Sequence, residues 1–92
     1  MSLNFEWVDR KARINRIKHG VAFEEAATVF SDSLSLTIHD PTHSYGEERF
    51  VTIGESTKRR LIVIIHTNRD GIRIISARKA TNRERKIYEK KN

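Results

Sequence analysis

The stretch that decides the fold is IRIISARKATNRERKIYEKKN, residues 72–92. Its first part reads as a strand: Ile72, Ile74 and Ser76 alternate with Arg73, Ile75 and Ala77, and the run closes on Arg78 and Lys79. A helix follows at once. Thr81 and Glu84 are spaced as a capping box, in which each side chain accepts from the other residue's unpaired backbone N–H. Two basic side chains therefore stand where a strand hands over to a helix. Helix N-termini present unpaired N–H groups and partial positive charge, so this corner is a natural place to hold an anion.

Working back toward the N-terminus, Asp70-Gly71 is a hairpin signal, and the run before it, LIVIIH at 61–66, is apolar on both faces, as a central strand requires. A basic loop, Lys58, Arg59 and Arg60, separates that run from RFVTI at 49–53, which Gly54 closes. Leu34, Leu36 and Ile38 alternate with Ser35, Thr37 and His39 before Asp40-Pro41, a further half-buried strand. Connections this short join antiparallel neighbours.

Further upstream the period becomes helical. Phe23, Ala26, Ala27 and Phe30 form one stripe over residues 22–31, with Glu24 and Glu25 in the first turn where the helix dipole favours acids. Another helix spans 9–18, with Asp9 as N-cap and Gly20 as a left-handed stop; its apolar face, Ala12, Ile14 and Ile17, is narrow, which places it on the surface. Phe5 and Trp7 precede it in a short extended lead-in. The sum is an α+β fold: two N-terminal helices, a four-stranded antiparallel meander with helices on one side, and a C-terminal helix. Three short helices leave sheet uncovered, so Ile62, Ile64 and Ile75 are expected to form a partner surface or a homo-oligomer contact.

Composition narrows the function. Ninety-two residues make one domain with a small core, and without cysteine there is neither a disulfide framework nor a thiolate metal site. The longest apolar run, 61–65, is too short to span a membrane, and Met1-Ser2-Leu3-Asn4 is unlike a signal peptide, so a cytoplasmic protein is expected. Charge is uneven. Residues 58–92 carry twelve Lys and Arg against three acids, a net of +9, whereas residues 1–57 carry six against nine, a net of −3, which make up the +6 of the chain. The basic half points to a polyanion, without distinguishing RNA from DNA.

None of the four histidines, His19, His39, His43 and His66, pairs with a carboxylate partner at helical spacing, so no metal site and no cofactor are expected. There is no Gly-rich phosphate loop and no nucleophile elbow. What remains is a set of Lys, His, Arg and Glu suited to cleaving RNA without metal: a base takes the 2′-OH proton, cations stabilise the phosphorane, and an acid protonates the leaving oxygen. Arg78, aided by Arg73 or Arg49, is the candidate for the phosphorane. His66 or His19, with Glu48, are candidates for proton transfer, and Lys18 and Arg83 for holding phosphates, Arg49, Arg73 and Arg83 forming the RNA-binding set. Each has a plainer reading too, since a histidine at a strand end and a Lys-His-Gly helix terminus are often structural. An even-length turn at Asp70-Gly71 is favoured and would put His66 and Arg78 on opposite faces; an odd one would unite them.

The strings FEWVDRKARINRIKHGVAFEEAATVF, GEERFVTIG, LIVIIHT and IRIISARKATNRERKIY together resemble the BrnT family of type II toxins over residues 5–88. Lys18-His19-Gly20 with Ser76-Ala77-Arg78 and Glu84-Arg85 carries the resemblance. It implies a RelE-like fold and a bacterial ribonuclease that halts growth. It also implies a cognate antitoxin, BrnA, whose DNA-binding part represses their shared operon with the toxin attached, so that operator DNA is reached only through the antitoxin. Lys18, His19, Arg78 and the Glu84-Arg85 helix start match the family pattern, while His66 and Glu48 match its commoner members. Two other readings stay open: a non-catalytic basic module that binds an acidic protein or nucleic acid, and a free-standing repressor, which the order of elements does not favour.

Overall fold

A computed structural model describes residues 3–41 and 46–91. In chain order the elements are β1 (Phe5–Glu6), α1 (Asp9–His19), α2 (Phe23–Thr28) running into a 3₁₀ turn (Val29–Ser31), β2 (Leu36–Asp40), β3 (Arg49–Glu55), β4 (Leu61–Thr67), β5 (Ile72–Lys79) and α3 (Asn82–Lys91). The sheet runs β1-β5-β4-β3-β2, with the expected antiparallel meander from β2 to β5. The lead-in adds a fifth strand: Phe5 pairs with Ile72 and Glu6 with Arg73 in parallel, which makes the sheet mixed. Two residues are too few to show a period, so only the pairing reveals them.

α1 and α2 cover one face. There Val21, Phe23, Ala26 and Val29 pack on Ile62, Ile64, Ile72, Ile74 and Ala77, all buried. Ile62 and Ile64 are thus core and not a partner surface. α1 also differs from expectation. Val8 is its N-cap, with Asp9 the first helical residue, and Gly20 closes it in the left-handed region at φ 68°. Its isoleucines point outward, Ile17 at 86% exposure, while Asn15 is buried. The inward position is polar because the edge of β5 is polar: beyond Arg73 no strand among the described residues covers it, and Asn15 takes a strand's place. Asn15 Nδ2 donates to Ala77 O (2.8 Å) and Val21 O (3.0 Å), and Asn15 Oδ1 accepts from the Ala77 N–H (3.1 Å).

The β4–β5 register contains a bulge. Thr67 pairs with Arg73 and His66 with Ile74, yet Ile65 pairs with Ser76, leaving Ile75 without a partner. The turn is therefore odd, with Asp70 (φ 52°) and Gly71 (φ 113°) in the left-handed region, contrary to the even loop expected. The bulge then reverses the effect of the odd turn. His66 stays on the helix-covered face, and Arg78, opposite Val63, emerges on the other. On that second face lie Leu36 and Ile38 of β2, Val51 and Ile53 of β3, and Val63 of β4, covered in part by α3.

Candidate active site

The corner where β5 meets α3 is built as its sequence implies. Glu84 Oε1 accepts from the Thr81 N–H (2.9 Å), and Thr81 Oγ1 accepts from the Glu84 N–H (3.1 Å), closing the capping box. The same carboxylate accepts twice from Arg78, at 2.7 Å from Nη1 and 2.8 Å from Nη2. Arg78 holds the Glu84 carboxyl down to about 2, so the pair stays ionised through the physiological range. This bidentate clamp fixes the guanidinium plane, and Arg78 remains part-exposed at the surface.

Lys18 and His19 reach the same strand from the other side. They line a shallow hollow of about 190 Å³ with Lys11, Ile75 and Ser76. Ser76 and Arg78 are alternate residues on one face, so Lys18 and His19 meet β5 two residues before Arg78. Arg83 is exposed in the first turn of α3 beside this corner.

The remaining candidates stand elsewhere. Arg49, opposite Asp40, and Arg73, held by Glu6 Oε1 at 3.1 Å, lie at the far end of the open face. Thr67 beside Arg73 is four residues along β4 from Val63 beside Arg78, a separation on the order of 13 Å. Glu48 is at that far end too, 3.9 Å from His39 Nε2, and lines a cavity of about 360 Å³ with Phe50, Asn68 and Arg69. His43 lies outside the described residues, as does most of the loop it belongs to. Among the described residues, no group of three or more His, Asp or Glu could hold a metal ion.

His66 is not brought to Arg78. It is 1% exposed, packed edge-on to Phe30 and stacked on Phe50. Asn68 Oδ1 can only accept, so His66 Nδ1 donates to it (2.8 Å); His66 Nε2 then accepts from the Thr52 hydroxyl (2.6 Å), which accepts from that of Thr37 (2.7 Å). A neutral ring satisfies every partner. Burial pushes its pKa down, against weaker support for the cation from Asn68 and Thr67. A folded-state pKa below the unfolded value of about 6.5 means that the unfolded chain takes up a proton first as pH falls. Melting temperature should therefore drop on going from pH 7.5 to pH 5.5, and His66→Phe should flatten that drop. An equal slope in both proteins would show that His66 is not its source.

With this geometry in hand, comparison with family models is informative: residues 7–84 match the model described as ribonuclease toxin, BrnT, of type II toxin-antitoxin system. The chain belongs to the BrnT family. It is accordingly a ribonuclease toxin of a type II toxin–antitoxin system, which implies a cognate antitoxin. The fold agrees. The crystal structure of the ribonuclease toxin BrnT from Brucella abortus, 24% identical, superposes with a TM-score of 0.63 over 88% of this chain and 100% of that one. A comparison with curated proteins gives no match. No helix among the described residues is long and apolar enough to cross a membrane.

In this BrnT-family chain, three polar arrangements escaped sequence reasoning. Asn15 is one. Glu25 is another: buried in α2, it accepts from Arg60 through both oxygens, one contact being Nε to Oε2 at 2.9 Å, and from Ser56 Oγ at 2.6 Å. The third is Asp32, whose Oδ2 accepts from the Glu55 N–H (2.8 Å) and from the Tyr88 hydroxyl (2.6 Å), tying the far end of α3 back across the sheet. A faint signal existed for Glu25, since an acid in an apolar stripe next to a lone basic hairpin loop invites pairing.

Proposed function

We propose that this toxin is an endoribonuclease that works without metal and acts where β5 hands over to α3, as one domain spanning the chain in the bacterial cytoplasm. The observation that carries the reading is that Lys18 and His19 meet β5 at Ser76, two residues before the part-exposed Arg78 with its preset guanidinium. Arg78 stabilises the charge of the phosphorane, its plane preset by Glu84. Lys18 and Arg83 hold flanking phosphates. His19 moves protons at the 2′ and 5′ oxygens, a role for which an imidazole is suited. Arg49 and Arg73 extend the phosphate track along the open face. His66 and Glu48 take no part at the scissile bond in this reading: one is enclosed in the core, the other far from Arg78. The antitoxin is of the BrnA kind, supplying the DNA contacts through which the pair represses its operon.

The test is cleavage of RNA by purified wild type and Arg78→Ala, each with and without EDTA. Loss of one preset cationic donor should lower kcat by roughly 10²–10³. Wild-type cleavage should survive EDTA, and circular dichroism should show Arg78→Ala folded. A folded Arg78→Ala protein that cleaves like wild type overturns the assignment.

A further inference from the structure

The two faces of the sheet are covered unequally. α1 and α2 bury the core on one, whereas α3 alone lies on the other and leaves a groove of about 350 Å³ beside it. Leu36, Ile38, Val51, Ile53 and Val63 form its floor and Ile87 of α3 its wall. Ile38 is 65% exposed and Ile87 49%. A half-covered apolar sheet face needs one more element to complete the layer. The helix that forms the wall is basic as a whole, with Arg83, Arg85, Lys86, Lys90 and Lys91 against Glu84 and Glu89, and of these cations Lys91 lines the groove. Glu84 lines it too, so the groove runs up to the Arg78–Glu84 pair.

We infer that this groove is where the cognate antitoxin docks, by an amphipathic helix with an aliphatic stripe toward Ile38 and Ile87 and acidic residues toward α3. The inference rests on the toxin reading above and deepens it. A helix seated there abuts Glu84 and covers the open side of Arg78, which silences the nuclease by excluding RNA.

The experiment uses the full chain and its cognate antitoxin. Affinity is measured by calorimetry for wild type and for Ile38→Glu combined with Ile87→Glu, and RNA cleavage is measured with and without antitoxin. Both positions are exposed, and melting curves check that the double variant folds. Facing an apolar helix with two carboxylates should weaken binding on the order of 100-fold, while cleavage by the variant alone is unchanged and no longer silenced. Lys91→Glu should also weaken binding and reduce its dependence on salt. Unchanged affinity in the double variant overturns the proposal, as does unchanged affinity with unchanged salt dependence in Lys91→Glu. Loss of cleavage in the double variant would give the groove to RNA, and loss of self-association with antitoxin binding intact would give it to a second copy; either result overturns the proposal. Binding is read without RNA, so a chain that cleaves nothing would still report on the groove.

Discussion

Replacing Asn15 by leucine should leave the chain largely unfolded at physiological temperature. The substitution keeps the shape of the side chain but removes its amide, and three buried backbone groups lose a partner: the N–H and C=O of Ala77 and the C=O of Val21. At ~1–3 kcal/mol for each buried group left unsatisfied, the loss is several kcal/mol, against a total of ~5–15 kcal/mol for an ordinary domain. Urea denaturation would measure it. Asn15→Asp sharpens the test, because it replaces the donor with an acceptor facing two carbonyl oxygens. The native state then favours the protonated acid and raises its pKa, so this variant should regain stability as pH is lowered toward the carboxylate range. Midpoints for both variants within a few tenths of a kcal/mol of wild type would mean that the amide does not hold the strand edge.

The second large effect concerns Glu25 and Arg60. The Glu25 side chain is 2% exposed, and its pKa is lowered by hydrogen bonding to Arg60 in the first place, which outweighs the opposing effect of burial. Arg60→Ala strands that carboxylate in the core, a loss of about 3–5 kcal/mol for a fully buried pair, with the partial exposure of Arg60 favouring the lower end. The sign with pH follows. In wild type the pair's contribution is complete above the unfolded carboxyl pKa of about 4.5 and is lost as pH falls through the folded value. The gap between wild type and Arg60→Ala should therefore be widest at neutral pH and narrow in acid. Replacing both partners, Glu25→Leu with Arg60→Met, should cost much less than Arg60→Ala, since no charge is left buried. A double variant as unstable as the single one would place the effect in packing instead.

The capping box at Thr81 and Glu84, the left-handed stop at Gly20 and the central position of the 61–66 run were all legible, because each rests on a local pattern that tertiary packing did not overrule. The orientation of α1 was not. Helical periodicity assumes that the buried stripe is apolar, and here an asparagine faces inward because a strand edge has to be satisfied. The bulge at Ile75 was equally hidden: it has no composition of its own, yet it decides which face Arg78 occupies. For the site, sequence chemistry selected Arg78, Lys18 and His19; the last two meet β5 at Ser76, and Arg78 follows two residues on. It could not tell that His66 is enclosed, since a histidine ending an apolar strand looks the same whether its ring meets solvent or a threonine hydroxyl.

The pairing of β1 with β5, and of Asn15 with Ala77, ties the beginning of the chain to its last third. A polypeptide leaves its ribosome N-terminus first, so α1 emerges with its asparagine amide unmatched and waits for most of the remaining sequence before it can dock. The edge that carries Arg78 and the helix that presets it follow every other described element in the chain. A product that stops before β5 lacks Arg78, Glu84 and the strand that the Asn15 amide pairs with, so its first helix has nothing to dock on.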